Sequence, residues 1–398
     1  MGNNLRDRLR RIREAGQGAH SPQKTAPFVS APGRDQEQSP PVSAAGLGPG
    51  WSPAGYQTLK RSVLLDLSRP PPVSFSPNLG FILPDLVRYA GAPYPGGGSP
   101  PGPGALLFFD LETTGLSGGA GTVAFLAAFG RFVPETLSGR AVLRVTQYLL
   151  LDYPGEYDFL EALLSEFQAG PGGDGRFPLT VTYNGKSFDS QIVKTRCLMN
   201  GLEAPVFYHA DLLHPGRRLW KRVLPNCSQA TVETLILGLD RTGDTPGELA
   251  PDIWFSFLRS GDPSALLGVC DHNVKDIFGL AALFLAFADI AERPLEAEAA
   301  YRCDAEQLAL CWRRAPSPSP PEAHAGPLLL RRAAEQGFPR ACRQLSVEAE
   351  WRRGDYAEAL AWTEKGLAAE GLRESLRQDL IRRRERLALK LRRAGTPT

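Results

Sequence analysis

Ala105-Leu-Leu-Phe-Phe-Asp110-Leu-Glu112-Thr-Thr-Gly115 is an apolar run that ends in two carboxylates one residue apart. An unbroken apolar stretch of this length, entered from the Pro- and Gly-rich residues 95 to 104, has the pattern of a central buried strand. Side chains alternate along a strand, so Asp110 and Glu112 share one face and their apolar neighbours the other. Composition alone supplies an Asp-x-Glu on the order of once in a chain of this kind, where an exposed strand face would explain it. At the end of a central strand that explanation is strained, because buried charge is costly without compensation. A divalent cation would compensate it.

Working outward, β-type runs at residues 123 to 132 and 140 to 151, with a Gly-rich turn at 117 to 121, predict three sequential antiparallel strands. A helix over 156 to 167, a strand over 179 to 183, a helix over 189 to 199 stopped by Asn200-Gly201, and a helix over 264 to 290 introduced by Asp262-Pro263 follow. Strands now alternate with helices, so the fold class is α/β, a mixed sheet flanked by helices. Beyond Pro294 only helical patterns remain, at 297 to 314, 327 to 336, 340 to 353 and 356 to 369. Within them, Gly354-Asp-Tyr-Ala-Glu-Ala-Leu360 resembles the second half of a tetratricopeptide unit. The Arg-rich residues 373 to 393 read as a solvated helix or tail.

Upstream of the opening strand, residues 5 to 14 read as a short basic helix. Residues 16 to 53, rich in Gly, Pro, Ser and Ala, are expected to be disordered. Residues 51 to 94 hold scattered anchors (Trp51, Tyr56, Phe75, Phe81, Leu86) without periodicity, a lead-in to the main domain. The expected division is a tail over 1–53, a lead-in and linker over 54–104, an α/β domain over 105–295 and a helical region over 296–398.

Lys and Arg number 45 against 43 Asp and Glu, so any basic surface for a polyanion must be local. The six cysteines show no C-x-x-C pair and no zinc-ligand spacing. Reduced thiols in a cytoplasmic protein are expected. The most apolar run, 277 to 290, is too short for a bilayer, no export or lipid signal opens the chain, and no membrane partner is expected. The loop at 117 to 121 lacks the Gly-Lys-Ser/Thr ending of a phosphate-binding loop.

Two further elements carry acids. Thr182-Tyr-Asn184-Gly-Lys186-Ser-Phe-Asp189 is a strand end and turn leading into a helix whose first turn holds Asp189. Helix capping alone would account for Asp189. Cys270-Asp-His272-Asn-Val-Lys-Asp276 lies within a long helix, with His272 and Asp276 four apart on one face beside the apolar stripe Ile277, Leu280, Leu283 and Phe284. A salt bridge would also account for Asp276. The combination is more specific than its parts.

Together these motifs resemble the DEDD exonuclease group of the ribonuclease H-like superfamily, related to the DnaQ proofreading nucleases. More narrowly they resemble the YprB-like bacterial proteins. The narrower likeness rests on residues 109 to 116 and 183 to 189, Asp211-Leu-Leu-His214 with Arg217-Arg218-Leu-Trp220, Arg241 with Asp244-Thr-Pro-Gly247, and Gly261-Asp262 leading to His272-Asn273-x-x-Asp276. It covers roughly residues 105 to 292. The resemblance implies a two-metal 3′→5′ exonuclease acting on DNA or RNA. Asp110, Glu112, Asp189 and Asp276 would hold two Mg²⁺ or Mn²⁺ ions, with His272 as general base. His272 stands one residue closer to the last acid than in the histidine-type members, at the spacing of the tyrosine-type ones. Thr113, Asn184, Lys186, Arg217 and Arg218 are the candidate substrate contacts. The basic run Arg217, Arg218, Lys221 and Arg222 reads equally as a phosphate-binding strip or a solvated helix face. The alternative function is a non-catalytic nucleic-acid-binding or scaffold protein that docks a protein partner through its helical region.

Overall fold

The computed structural model describes residues 46–67, 71, 75–76, 78–86, 102–115, 121–134, 141–168, 177–313 and 325–394. The expected basic N-terminal helix, the tail as far as 45, most of the 95–104 joint and positions 117–120 of the Gly-rich turn lie outside these residues.

Strands β1 (Ser52–Gly55), β2 (Thr58–Asp66), β3 (Leu106–Thr113), β4 (Ala124–Pro134), β5 (Ala141–Leu150), β6 (Leu179–Thr182) and β7 (Tyr208–Asp211) form one seven-stranded sheet in the order β1-β2-β5-β4-β3-β6-β7. The expected meander is present: β3 runs antiparallel to β4, and β4 to β5. β6 and β7 add in parallel beside β3, with Leu106 opposite Leu179 and Leu179 opposite Tyr208. Parallel neighbours need crossovers. After the short α1 (Leu79–Ile82), α2 (Glu156–Gln168) connects β5 to β6 and α3 (Asp189–Met199) connects β6 to β7.

One expectation is corrected here. Residues 52 to 66, read as part of a disordered tail and an irregular lead-in, are a hairpin that extends the sheet, with Thr58 to Asp66 paired along β5 from Leu150 to Val142. Leu47, also assigned to the tail, is buried at 1% exposure. The strand signal was masked because β2 carries Lys60 and Arg61. Their cations lie over the rings of Tyr148 and Trp51.

The remaining elements of the first region are α4 (Leu213–Trp220), α5 (Gln229–Val232), α6 (Ala250–Ser260) and α7 (Leu266–Glu292). α7 begins two residues later than expected, and Asp262 instead closes a turn by accepting from the Ser264 N–H at 3.0 Å. The alternation of β3 sorts its side chains into two cores. Phe108 faces Ile277, Leu280, Phe284 and Phe287 of α7, whereas Leu107, Phe109 and Leu111 face α2, α3 and α6. Asp110 and Glu112 therefore point to the α7 side, where His272 and Asp276 are carried.

Close approach of α7 depends on a missing side chain in β4. A Cβ placed on Gly130 would lie 2.5 Å from Ile277 Cγ2 and 3.1 Å from Phe108 Cβ. Isoleucine is stiff and Phe108 is fully buried, so little can give way. Gly130→Ala is expected to destabilise the fold by about 1–3 kcal/mol through overpacking. A urea midpoint unchanged from wild type would contradict this packing argument.

The helical region comprises α8 (Pro294–Ala300), α9 (Ala305–Arg313), α10 (Ala325–Glu335), α11 (Pro339–Glu348), α12 (Tyr356–Leu367) and α13 (Glu374–Ala394), with α9 to α12 each packing on the next. The single helix expected over 297 to 314 is broken at Arg302, whose φ of 49° leaves the helical region. α13 is not a bare solvated rod: Leu380 and Leu387 are buried, and Arg383, Arg386 and Lys390 converge on the buried Glu350. These three cations of the Arg-rich segment are thus committed to Glu350.

The helical region is tied to the first region at α4. Arg222 ion-pairs with the buried Asp304 and, at 2.9 Å, with Glu306, while the Trp220 indole donates to the Tyr301 carbonyl at 2.9 Å. Arg222 therefore does not offer its guanidinium as part of a free phosphate-binding strip.

Candidate active site

Asp110 and Glu112 sit at the carboxyl end of β3, opposite Ala128 and Leu126 of β4. Asp110 is half-buried and Glu112 is 9% exposed. Asn273, fully buried on α7, donates to Asp110 Oδ2 at 2.8 Å and accepts at 2.8 Å from the buried Gln147 amide of β5. This chain links three elements behind the first acid. Asn273 was named from the sequence only as part of the His272-Asn273-x-x-Asp276 motif, without a role, and Gln147 was not singled out, although a glutamine inside the run Val145-Thr-Gln-Tyr-Leu-Leu150 is itself a polar group needing a buried partner.

Asp189 opens α3, directly after the turn that leaves β6. A Cβ on Gly185 would lie 2.5 Å from Asp189 Oδ2 and 2.7 Å from Thr182 Cβ, so glycine lets the acid fold back onto the strand end. Asn184 occupies the left-handed region at φ 67°, and its N–H donates to Asp211 Oδ1 at 2.8 Å. Asp211 also accepts from the Lys186 and Leu213 N–H groups, which makes it a clamp on this turn and on the start of α4. Lys186 Nζ reaches Asp85 at 3.3 Å.

His272 and Asp276 face the same space from α7. His272 Nε2 is 3.2 Å from Asp276 Oδ2 and 4.0 Å from Glu112 Oε1, and Nδ1 is 2.9 Å from Asp244 Oδ2. Spacing of four on a helix has thus brought the imidazole to the acids. Ligand atoms from Glu112, His272 and Asp276 all lie within 4.8 Å of one another, the separation a single cation needs. Asp276 also ion-pairs through Oδ1 with Arg241, which in turn holds Glu233 and Asp244. That pairing leaves the other oxygen of Asp276 turned to His272.

Electrostatics in this cluster are unfavourable to the ionised acids. Burial, and then repulsion from Asp276, Asp189 and Glu112, push Asp110 well above the usual carboxylate range despite the Asn273 hydrogen bond. Glu112 is raised from 4.5 to about 8 by burial and by Asp276, Asp189 and Asp244. Asp189 is raised from 3.8 to about 7, first by burial and then by Asp211. Hard carboxylate oxygens gathered at such cost, with few cations to offset them, fit a divalent ion.

The other expected contacts are dispersed. Thr113 donates its hydroxyl to the Gly115 carbonyl at 2.9 Å. Arg217 is exposed on α4, whereas Arg218 is half-buried and its Nη1 approaches Cys311 Sγ of α9 at 3.8 Å. Asp271 is 68% exposed at its side chain and pairs with Arg61 at 3.3 Å.

Residues 107–287 match the family model described as the RNase_H superfamily, and the chain carries a ribonuclease H-like domain there. Over 183 residues it is 40% identical to the uncharacterized protein YprB of Bacillus subtilis (strain 168), an alignment covering 45% of this chain and 41% of YprB. The matched stretch therefore spans less than half of that relative's length. No described helix is long and apolar enough to cross a membrane.

Proposed function

We propose that the ribonuclease H-like domain is a metal-dependent 3′→5′ exonuclease acting on single-stranded nucleic acid. The observation that carries this reading is the repulsion among Asp110, Glu112, Asp189 and Asp276 in a largely buried cluster, with an imidazole at 3.2 Å from the last of them. Asp110, Glu112, Asp189 and Asp276 would hold two Mg²⁺ or Mn²⁺ ions. Such ions, when bound, neutralise charge on the scissile phosphate and acidify a bound water. Nε2 of His272 takes the proton of the attacking water, a task that suits imidazole near neutral pH. Asn184, Lys186 and Arg217 contact the nucleic-acid backbone, with Thr113 and Arg218 at its margins. Ribonuclease H-like domains act on nucleic acid, and the buried acid cluster is the feature of this chain that suits phosphodiester hydrolysis.

Matched DNA and RNA single strands, labelled at either end and incubated with Mn²⁺, test the reading. A label at the 3′ end should appear at once in mononucleotides, while a 5′ label should move down a ladder, and a circular strand should survive. Cleavage of the circle would point to an endonuclease. Intact strands in every arm would favour a non-catalytic binding role in which the Arg241 pairing of Asp276 is permanent.

A further inference from the structure

We propose that Asp244 is a positioning residue that fixes His272 as the Nδ1–H tautomer, with its Nε2 turned to Glu112 and Asp276. The inference deepens the assignment of His272 as proton acceptor and rests on it for its kinetic arm. Asp244 lies in the connection between α5 and α6, far in sequence from α7. Its Oδ2 is 2.9 Å from His272 Nδ1, closer than Asp276 Oδ2 is to Nε2 at 3.2 Å, and a carboxylate at that distance accepts a hydrogen bond from the ring N–H. The same oxygen accepts from Arg241 Nη1 at 2.7 Å, and Oδ1 accepts from Lys275 Nζ at 3.2 Å. With its side chain only 12% exposed and three donors converging on it, Asp244 has little freedom to turn away.

The surrounding loop is shaped to hold the ring. A Cβ on Gly247 would come within 3.2 Å of His272 Nε2, so the backbone of the loop backs the imidazole where a side chain would press on it. A Cβ on Gly268 would lie 2.4 Å from Thr245 Oγ1, so the loop sits close on α7 one turn before His272. Arg241 is anchored in turn by Glu233, whose carboxylate is fully buried and would overlap any Cβ at Gly279. The charged groups around the ring are therefore Asp244, Glu112 and Asp276, with Arg241 and Lys275 reaching it only through the acids they pair with.

The test has two independent arms on the full chain. In the first, ¹⁵N-histidine labelling of the wild type, with the His272→Ala spectrum assigning one of the five histidines, reads which ring nitrogen carries the proton. Protonation at Nδ1 alone, shifted toward Nε2 in Asp244→Asn, is expected; an Nε2–H or doubly protonated ring in the wild type overturns the proposal without reference to activity. In the second, Mn²⁺-dependent strand shortening is measured for Asp244→Asn, His272→Ala and the double variant. Asp244→Asn should lower kcat by about 10- to 100-fold with KM little changed, Asp244→Glu should recover part of the loss, and the double variant should be no slower than His272→Ala. An equal cost in both backgrounds means that Asp244 acts independently of His272 and sinks the inference. A wild type without nuclease activity defeats the proposed function, and the tautomer then decides this inference alone.

Discussion

Asp110→Asn is expected to abolish strand shortening, by on the order of 10³-fold or more, and at the same time to raise the melting temperature of the metal-free protein. The two effects have one cause. In the fold, Asp110 is disfavoured as an anion by burial and by repulsion from Asp276, Asp189 and Glu112. Asparagine removes the charge while its carbonyl oxygen can still accept from Asn273 Nδ2, which donates to Asp110 Oδ2 at 2.8 Å. Relief worth about 1 kcal/mol moves the midpoint of a chain of this size by roughly 1–2 °C. Asp271→Asn is the control: Asp271 is exposed and pairs with Arg61 at the surface, so it should alter neither quantity appreciably. Lower stability in Asp110→Asn would mean that the acid is held by favourable contacts, and surviving activity would remove it from the chemistry. A site kept for catalysis at the expense of stability should show both changes together.

Much of this site was legible because local rules fix it. Alternation along β3 puts Asp110 and Glu112 on one face, and helical spacing puts His272 above Asp276. Gly185 beside Asp189 belongs to the same class, since a turn and a helix start are written in consecutive residues. What was not legible depends on contacts between distant segments. Asp244 meets His272 across 28 positions, and Gln147 meets Asn273 across 126, so no periodicity announces either pair. β2 escaped for a different reason. Its outward and flanking positions carry Lys60, Arg61 and Ser62, and only the neighbouring Tyr148, Trp51 and Thr146 show why a strand tolerates them. Arg222 is the reverse case, for a basic run that reads equally as a phosphate-binding strip or a solvated face is decided at this residue only by Asp304 beside it.

Mn²⁺ should stabilise the wild type against heat by an amount that widens as pH rises from about 5.5 to about 8, while EDTA returns the protein to the metal-free curve. The sign follows from the direction of the shifts. Glu112 is raised from 4.5 to about 8 and Asp189 from 3.8 to about 7, so the folded chain keeps protons that the unfolded chain has already lost. Their contribution to stability is fully present below the ordinary carboxylate values, near 4, and is lost as pH climbs through about 7 to 8. A cation reverses that trend, because it binds the ionised oxygens and competes with protons over the same window. At a free concentration 100 times its dissociation constant, the ion adds about 2.7 kcal/mol. Glu112→Gln removes one ligand and one raised carboxyl together, so it should both narrow the gap at pH 8 and flatten the metal-free profile. A gap that stays constant across the pH range would show that the ion binds elsewhere, since only a site built from these acids exchanges protons for metal where they titrate.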